Sequence, residues 1–370
     1  MNYFKNIKLE NYRNFNNLEL DFDQNCNVFF GNNGSGKTNI LESISLFERG
    51  RGFRQDKINN LINFESKKDN FRIYSNFFHK HGDIIVSVFN ERKKISLTKK
   101  IIVNGSSSKD SKEHFESLFS IIYFLPEMER LFVSSPSARR NFLDRLIFNS
   151  NKRYLKIVND YKKNITERSR ILKDYNSEIE WLNNIEKKIV ELGIIIYKER
   201  LTYIEEINLA LKRLDIAKKF NYKININLDD LLLNQCKNDT NVLFEEYIKT
   251  IKASREIDKL LGGSKVGPHK SDIVGYDIGK NININQFSTG QQKTVVLLII
   301  LAQCTMLISE QKISPIILFD EVCSHLDNNN RELLLHIIKT LDVQTFLTGT
   351  EKSFFSFLST KTLYCNINEL

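Results

Sequence analysis

The chain has 370 residues, of which 54 are Lys or Arg and 45 are Asp or Glu, for a formal charge of +9. At ~100 to 200 residues per domain this length holds two or three structural units, and 41% apolar content supplies a sizeable core, which excludes a disordered tail and a minimal disulfide scaffold. The basic excess points to an anionic partner without choosing among nucleic acid, nucleotide and membrane surface.

The N-terminus, MNYFKNIKLENYRNF, carries neither an apolar signal core nor a small-residue cleavage site, so no export is expected. Alternation through Tyr3, Ile7 and Leu9, and again through Leu18, Leu20 and Phe22, predicts two short antiparallel strands. NVFF at 27–30 is continuously apolar and runs into a glycine cluster, after which Ile40, Leu41, Ile44 and Phe47 share one helical face. The order is buried strand, Gly-rich loop, helix. Between 71 and 104, RIYSNFF, DIIVSVF and KKIIVNG predict a small antiparallel sheet, with a tight reversal at Asn104-Gly105.

From 139 to 173 the composition shifts to eleven basic side chains against three acids, nearly the whole formal excess in one stretch. Tyr154, Val158, Tyr161, Ile165 and Leu172 recur there at helical spacing. After the polar break KDYNS, Leu182, Ile185, Ile189, Leu192 and Ile196 do the same, which predicts two antiparallel helices. If the second continues to Leu214 it reaches about 50 Å, far short of a long coiled-coil arm. The last third returns to α/β alternation: a helix at 291–310, a strand at 316–319, a helix at 329–340 and a strand at 345–348. The longest apolar run, VVLLIILA at 295–302, is about a third of a bilayer span. Five cysteines (Cys26, Cys236, Cys304, Cys323, Cys365) lie far apart, form no CxxC pair and read as reduced structural thiols. The expectation is a soluble, cytoplasmic protein without a membrane partner. His79, His81, His114 and His336 have no ligand spacing, and no metal is assigned to His269 or His325.

GNNGSGKT, Gly31 to Thr38, satisfies GxxxxGK[ST] between an apolar strand and a helix. Backbone N–H groups of Gly31, Asn32, Asn33, Gly34, Ser35 and Gly36 and the helix N-terminus suit a polyphosphate, Lys37 reaches the outer phosphates and Thr38 can ligate Mg²⁺. ISPIILFDE, Ile313 to Glu321, is an apolar strand ending in two acids: Asp320 to hold hydrated Mg²⁺ and Glu321 to polarise an attacking water. Alone, such acids are often helix caps; with the P-loop they form the second half of a nucleotide site. FSTGQQK, Phe287 to Lys293, opens a helix whose first turn offers N–H groups and the Ser288 hydroxyl to a phosphate.

This last segment resembles the signature motif of ABC-type ATPases, and Ser324-His325-Leu326-Asp327 is similar to their D-loop. Roughly 250 residues separate P-loop from signature, as in the split heads of chromosome and repair ATPases. The short helical hairpin, together with LENYRNF at 9–15, GRGFR at 50–54, SPSARRNFLDR at 135–145 and VGPHKSD at 266–272, resembles the RecF family of recombinational repair. In VGPHKSD, Lys270 stands where arginine is more usual, keeping the charge but losing a planar fork. The expected fold is α/β: an ABC-type ATPase head with a mixed sheet, an antiparallel β subdomain and an inserted helical lobe. Residues 1–125 and 263–370 would form the two parts of the head and 126–262 the lobe.

The resemblance implies ATP and Mg²⁺ as cofactors, with Lys37, Asp320 and Glu321 catalytic, Thr38 and Asp320 at the metal, and Ser288, Gly290, Gln291, Asp327 and Arg54 joining the P-loop around nucleotide. It implies an ATP-driven homodimer in which the signature of one copy completes the P-loop of the other. It also implies action on double-stranded and gapped DNA, cooperation with RecR and RecO, and promotion of RecA assembly. The charge itself nominates Arg139, Arg140, Arg153, Lys156, Lys162 and Lys163 for DNA. Two positions depart from related heads. Leu125-Pro126-Glu127 follows IIYF where a Gln often stands, and Thr348-Gly349-Thr350 replaces the switch histidine of transporter heads, so slow hydrolysis is expected. An ABC transporter subunit and a nucleotide-binding structural clamp without hydrolysis are the alternatives; the split motifs and the basic hairpin speak against the first.

Overall fold

In the computed structural model, which describes residues 2–93, 96–173, 179–236, 240–323, 327–358 and 361–370, the apolar run before the glycines is the strand Cys26–Phe30 of a five-stranded sheet. Its order is Thr362–Asn366, Cys26–Phe30, Thr345–Gly349, Ser314–Phe319, Phe119–Phe124, with every pairing parallel. The central strands of such a sheet are buried on both faces, which is why VFF and IILF read as unbroken apolar runs. Ligands of open parallel sheets bind beyond the carboxyl ends of the strands, and here those ends lead to Gly31, Asp320 and Gly349.

The alternating segments form a separate antiparallel sheet in the order Phe15–Asp21, Asn6–Tyr12, Arg72–Phe78, Ile84–Lys93, Ser96–Val103, with Tyr3–Phe4 also pairing on Arg72–Phe78. Asn104 and Gly105 both take positive φ (48° and 76°), as a type I′ reversal requires. The reversal does not join two ladder strands. It closes a Val103–Ser106 bridge and leads into the helix Lys109–Ser117, while Asn104 exchanges two 2.8 Å hydrogen bonds with the backbone of Ile85.

By packing, the chain forms two units: 1–129 with 296–370, and 130–295. In the first, the rings of Phe4, Phe47, Phe77, Phe115 and Phe119 are fully buried and Phe4 stacks on Phe47 at 4.9 Å. In the second, the basic stretch runs through the helices Pro136–Ser150 and Tyr154–Lys173, and Ile179–Arg213 follows as a 35-residue helix about 52 Å long. Ile171 and Leu172, at the end of Tyr154–Lys173, meet Leu182 and Ile185, at the start of Ile179–Arg213, so this pair runs antiparallel as the periodicity predicts. Residues 263–295, which the sequence groups with the head, pack in the second unit instead: Asp272–Asp277 pairs antiparallel with Ile224–Asp229, an alternating segment 43 residues upstream. Among the described residues one helix, Thr289–Ser309, is long and apolar enough to cross a bilayer, and 83% of its apolar window is buried within the protein.

Candidate functional site

The turn from Phe30 into the helix Lys37–Ser45 is built on glycines with positive φ: Gly34 at 83° and Gly36 at 102°. At Gly36 a side chain is excluded twice over, since a Cβ there would lie 2.5 Å from the Phe15 ring. Lys37 Nζ donates to the carbonyl oxygens of Gly31 and Asn32 at 2.8 Å. Burial lowers the Lys37 pKa, with Glu321 and Asp320 opposing the shift. The Ser35 hydroxyl oxygen is buried with no protein partner, while the position a Cβ would take at Gly34 faces open space.

Across the sheet, the Thr38 hydroxyl donates to Asp320 Oδ1 at 2.9 Å, bringing the two halves of the predicted site together. Thr348 also donates its hydroxyl to Asp320 Oδ1, at 2.7 Å, and accepts the Glu321 N–H at 2.9 Å. These groups fit a magnesium nucleotide: backbone N–H groups and an ammonium for phosphates, an unmatched buried hydroxyl, and a hydroxyl–carboxylate pair for a hard cation. Glu127, at the position where related heads often carry Gln, is exposed in the 3₁₀ segment after Phe119–Phe124.

LENYRNF, noted above only for its likeness, anchors this loop. Tyr12 and Arg13 hydrogen-bond the carboxylate of Glu42, which is fully buried on the P-loop helix, and Arg13 also reaches Asp56 at 2.9 Å. Asn14 donates to the Ser35 carbonyl and accepts from Asn39. Arg54, expected at phosphates, donates to Asn39 Oδ1 at 2.7 Å and lies 3.5 Å from Glu42. Both partners lie on the helix that carries Thr38. The Asn368 side chain accepts the Asn32 N–H, so the last turn of the chain buttresses the same loop.

In the second unit the signature turn is a capping box: Ser288 Oγ accepts the Gln291 N–H and Gln291 Oε1 accepts the Ser288 N–H. Ser288 and Gln291 are exposed, while Phe287 beneath them is buried against Tyr222. Asp327 caps the helix Asn328–Leu341 through the Asn330 N–H. Residues 324–326 of the D-loop segment lie outside the described residues.

The basic stretch divides in two. Arg139 makes a two-pronged bond to Asp272 (2.7 Å each) and Arg140 donates to the Ser271 carbonyl, so these two proposed DNA contacts are spent inside the unit. Burial works against a charged Asp272, but Arg139 holds its carboxyl below the usual range. Arg168 is wholly buried between Glu186 and Asp258. Arg153, Lys156, Lys162, Lys163, Arg170 and Lys173 are exposed. From Lys156 to Lys173 they form a ridge about 26 Å long at helical rise.

VGPHKSD is pinned from all sides: Arg200 donates to the Pro268 carbonyl, Ser271 to Asp230, and His269 Nε2 lies 2.9 Å from the Ser264 carbonyl while its Nδ1 meets the Tyr161 hydroxyl at 2.7 Å. Nε2 donates to the Ser264 carbonyl, which accepts only, while the Tyr161 hydroxyl can donate to or accept from Nδ1. Burial, joined by the charges of Lys270, Arg140 and Arg200, lowers the His269 pKa from 6.5 to about 4. Between those pH values the unfolded chain binds the proton that the folded chain refuses, so stability is held above pH 6.5 and is lost as pH falls toward 4, by at most about 3 kcal/mol. Urea unfolding from pH 5 to 7 should show this slope in the parent. His269→Phe should lose it even though its stability at pH 8 is lower.

The fold and the site together define an ABC-type ATPase head, and the model of the RecF/RecN/SMC N-terminal domain family matches residues 3–364. The DNA replication and repair protein RecF of Rickettsia prowazekii (strain Madrid E) is 34% identical over 349 residues, 94% of each chain. That of Rickettsia conorii (strain ATCC VR-613 / Malish 7) is 34% identical over 363 residues, 97% of each. A solved structure of the recombination mediator protein RecF-ATP in the RecFOR pathway superposes with a TM-score of 0.78 at 27% identity, covering 95% of this chain and 94% of that one. An SMC head bound to the C-winged helix domain of ScpA, at 16% identity, covers 96% of this chain and 91% of that one with a TM-score of 0.54, and bears on the fold alone. The chain belongs to the RecF family.

Proposed function

We propose that this chain is an ATP-dependent DNA-binding protein of recombinational repair and replication-fork maintenance. ATP with Mg²⁺ would sit on the Gly31–Thr38 loop, with Lys37 and the loop N–H groups at the phosphates, Thr38 and Asp320 at the cation, and Glu321 set to polarise the attacking water. The cation, when bound, neutralises charge developing on the phosphates. Ser288, Gly290 and Gln291 of one copy would close on the nucleotide held by a second copy, so that ATP binding makes the homodimer and hydrolysis resets it. The finer assignments, to gapped DNA and to RecA loading with RecO and RecR, rest on family membership and on the RecFOR pathway to which the solved RecF structures belong.

The observation that carries the DNA reading is the exposed cationic ridge of the helix Tyr154–Lys173, on a chain whose family works in DNA replication and repair. With Arg139 and Arg140 engaged internally, Arg153, Lys156, Lys162 and Lys163 are the phosphate contacts in this reading. Such contacts give affinity without base reading. Replacing all four by Gln should weaken binding to duplexes of any sequence. It should also reduce the magnitude of the slope of log affinity against log salt by up to about 3.6. An unchanged slope, with the melting temperature intact, removes this helix from the interface.

A further inference from the structure

The residue after the strand core TFL, Thr348, hydrogen-bonds the side chain of one acid of the site and the backbone of the other. Parallel register pairs Phe319 with Leu347, so the next residues on each strand, Asp320 and Thr348, stand side by side at the carboxyl edge. Thr348 is fully buried. Its hydroxyl has one proton and uses it on Asp320 Oδ1 at 2.7 Å, because a carboxylate only accepts. A lone pair of the same oxygen takes the Glu321 N–H at 2.9 Å. Glu321 has a φ of +49°, in the left-handed region that a non-glycine residue enters only when its surroundings hold it there.

We infer that Thr348 is a positioning residue: through one hydroxyl it orients the Asp320 carboxylate and fixes the left-handed backbone that directs Glu321. The inference rests on the nucleotide-site reading above and assigns the replacement of the switch histidine a task of its own. Thr38, the other hydroxyl on Asp320, belongs to the cation in that reading, so Thr348 is the donor whose only part is to hold the acids. Removing the hydroxyl would leave the half-buried Glu321 N–H without its acceptor and Asp320 Oδ1 with the Thr38 hydroxyl in place of two donors.

The test compares Thr348→Val, which keeps the β-branched shape and loses the hydroxyl, with Thr348→Ser, which keeps the hydroxyl and loses the methyl. ADP affinity is measured with and without Mg²⁺, and kcat and KM for ATP hydrolysis are measured alongside. In Thr348→Val, ADP affinity without metal should match the parent, the enhancement by Mg²⁺ should fall about tenfold, and kcat should fall on the order of 10- to 100-fold with a smaller change in KM. Thr348→Ser should restore both. If the valine variant keeps the parent's Mg²⁺ enhancement and kcat, or if serine is as impaired as valine, the hydroxyl does not position the acids and the inference is overturned. Should valine impair folding, Thr348→Ala against Thr348→Ser makes the same comparison. A parent whose ADP affinity ignores Mg²⁺ overturns the nucleotide-site reading and this inference with it; a responsive parent with an unaffected valine variant overturns this inference alone.

Discussion

With saturating ATP and Mg²⁺ the parent chain should double its mass by light scattering, and Lys37→Ala and Ser288→Arg should each stay single, for different reasons. Lys37 supplies the one ammonium on the P-loop, already desolvated and aimed at the loop carbonyls. Its removal deletes charge-assisted bonds to phosphate and should weaken nucleotide affinity on the order of a hundredfold. Ser288 lies in the other unit, exposed at the start of its helix. A guanidinium there leaves the P-loop untouched, so nucleotide affinity of the single chain should be normal while closure on a second copy is blocked. The Ser288 cap is long, 3.4 Å to the Gln291 N–H, and its loss costs about 1 kcal/mol, which a melting curve will register. A parent that stays single at saturating ATP, or a Ser288→Arg protein that dimerises like the parent, overturns the shared-nucleotide reading.

The parts of the site legible in the sequence are those whose chemistry is contiguous. The P-loop needs eight consecutive residues, and the acids follow an unbroken apolar strand, so both could be placed before any contact was known. Thr348 was legible only as a missing histidine. What it does depends on the register between Ser314–Phe319 and Thr345–Gly349, a property of two strands that no local pattern encodes. LENYRNF likewise stood out as a likeness without a task, because Asn14 acts on the loop 21 residues away and Arg13 on a helix 29 residues away. The strand Asp272–Asp277 was grouped with the wrong part of the chain because its pairing partner lies far upstream. A short alternating segment does not announce which sheet it joins.

Charge counting shows the same limit, and its resolution yields the second large effect: Arg168→Ala should destabilise the helical unit by about 3 to 5 kcal/mol. Of the cations between 139 and 173, sequence cannot tell a solvated lysine from a buried arginine, since the deciding acids lie elsewhere. Asp272 is 133 residues from Arg139, and Asp258 is 90 from Arg168. Arg168 has no exposed surface. Its guanidinium bonds Glu186 at 3.0 Å, Asp258 at 2.7 Å and the carbonyl of Ile251 at 2.8 Å, joining the two long helices to the segment 251–258. Truncation leaves two buried carboxylates. Glu186 keeps Arg255, but Asp258 is left with the Ser254 hydroxyl on Oδ2 and a buried Oδ1 that has no hydrogen-bond partner, so Asp258 bears most of the loss. Arg168→Lys retains the charge without the planar fork and should recover only part of the stability. Lys162→Ala and Lys163→Ala, on the exposed side of the same helix, should stay within about 0.5 kcal/mol of the parent. Urea unfolding of the full chain separates these cases. If Arg168→Ala unfolds at the same urea concentration as Lys162→Ala, the buried ion network does not hold the hairpin to the segment 251–258, and the division of the basic stretch into internal and surface cations fails.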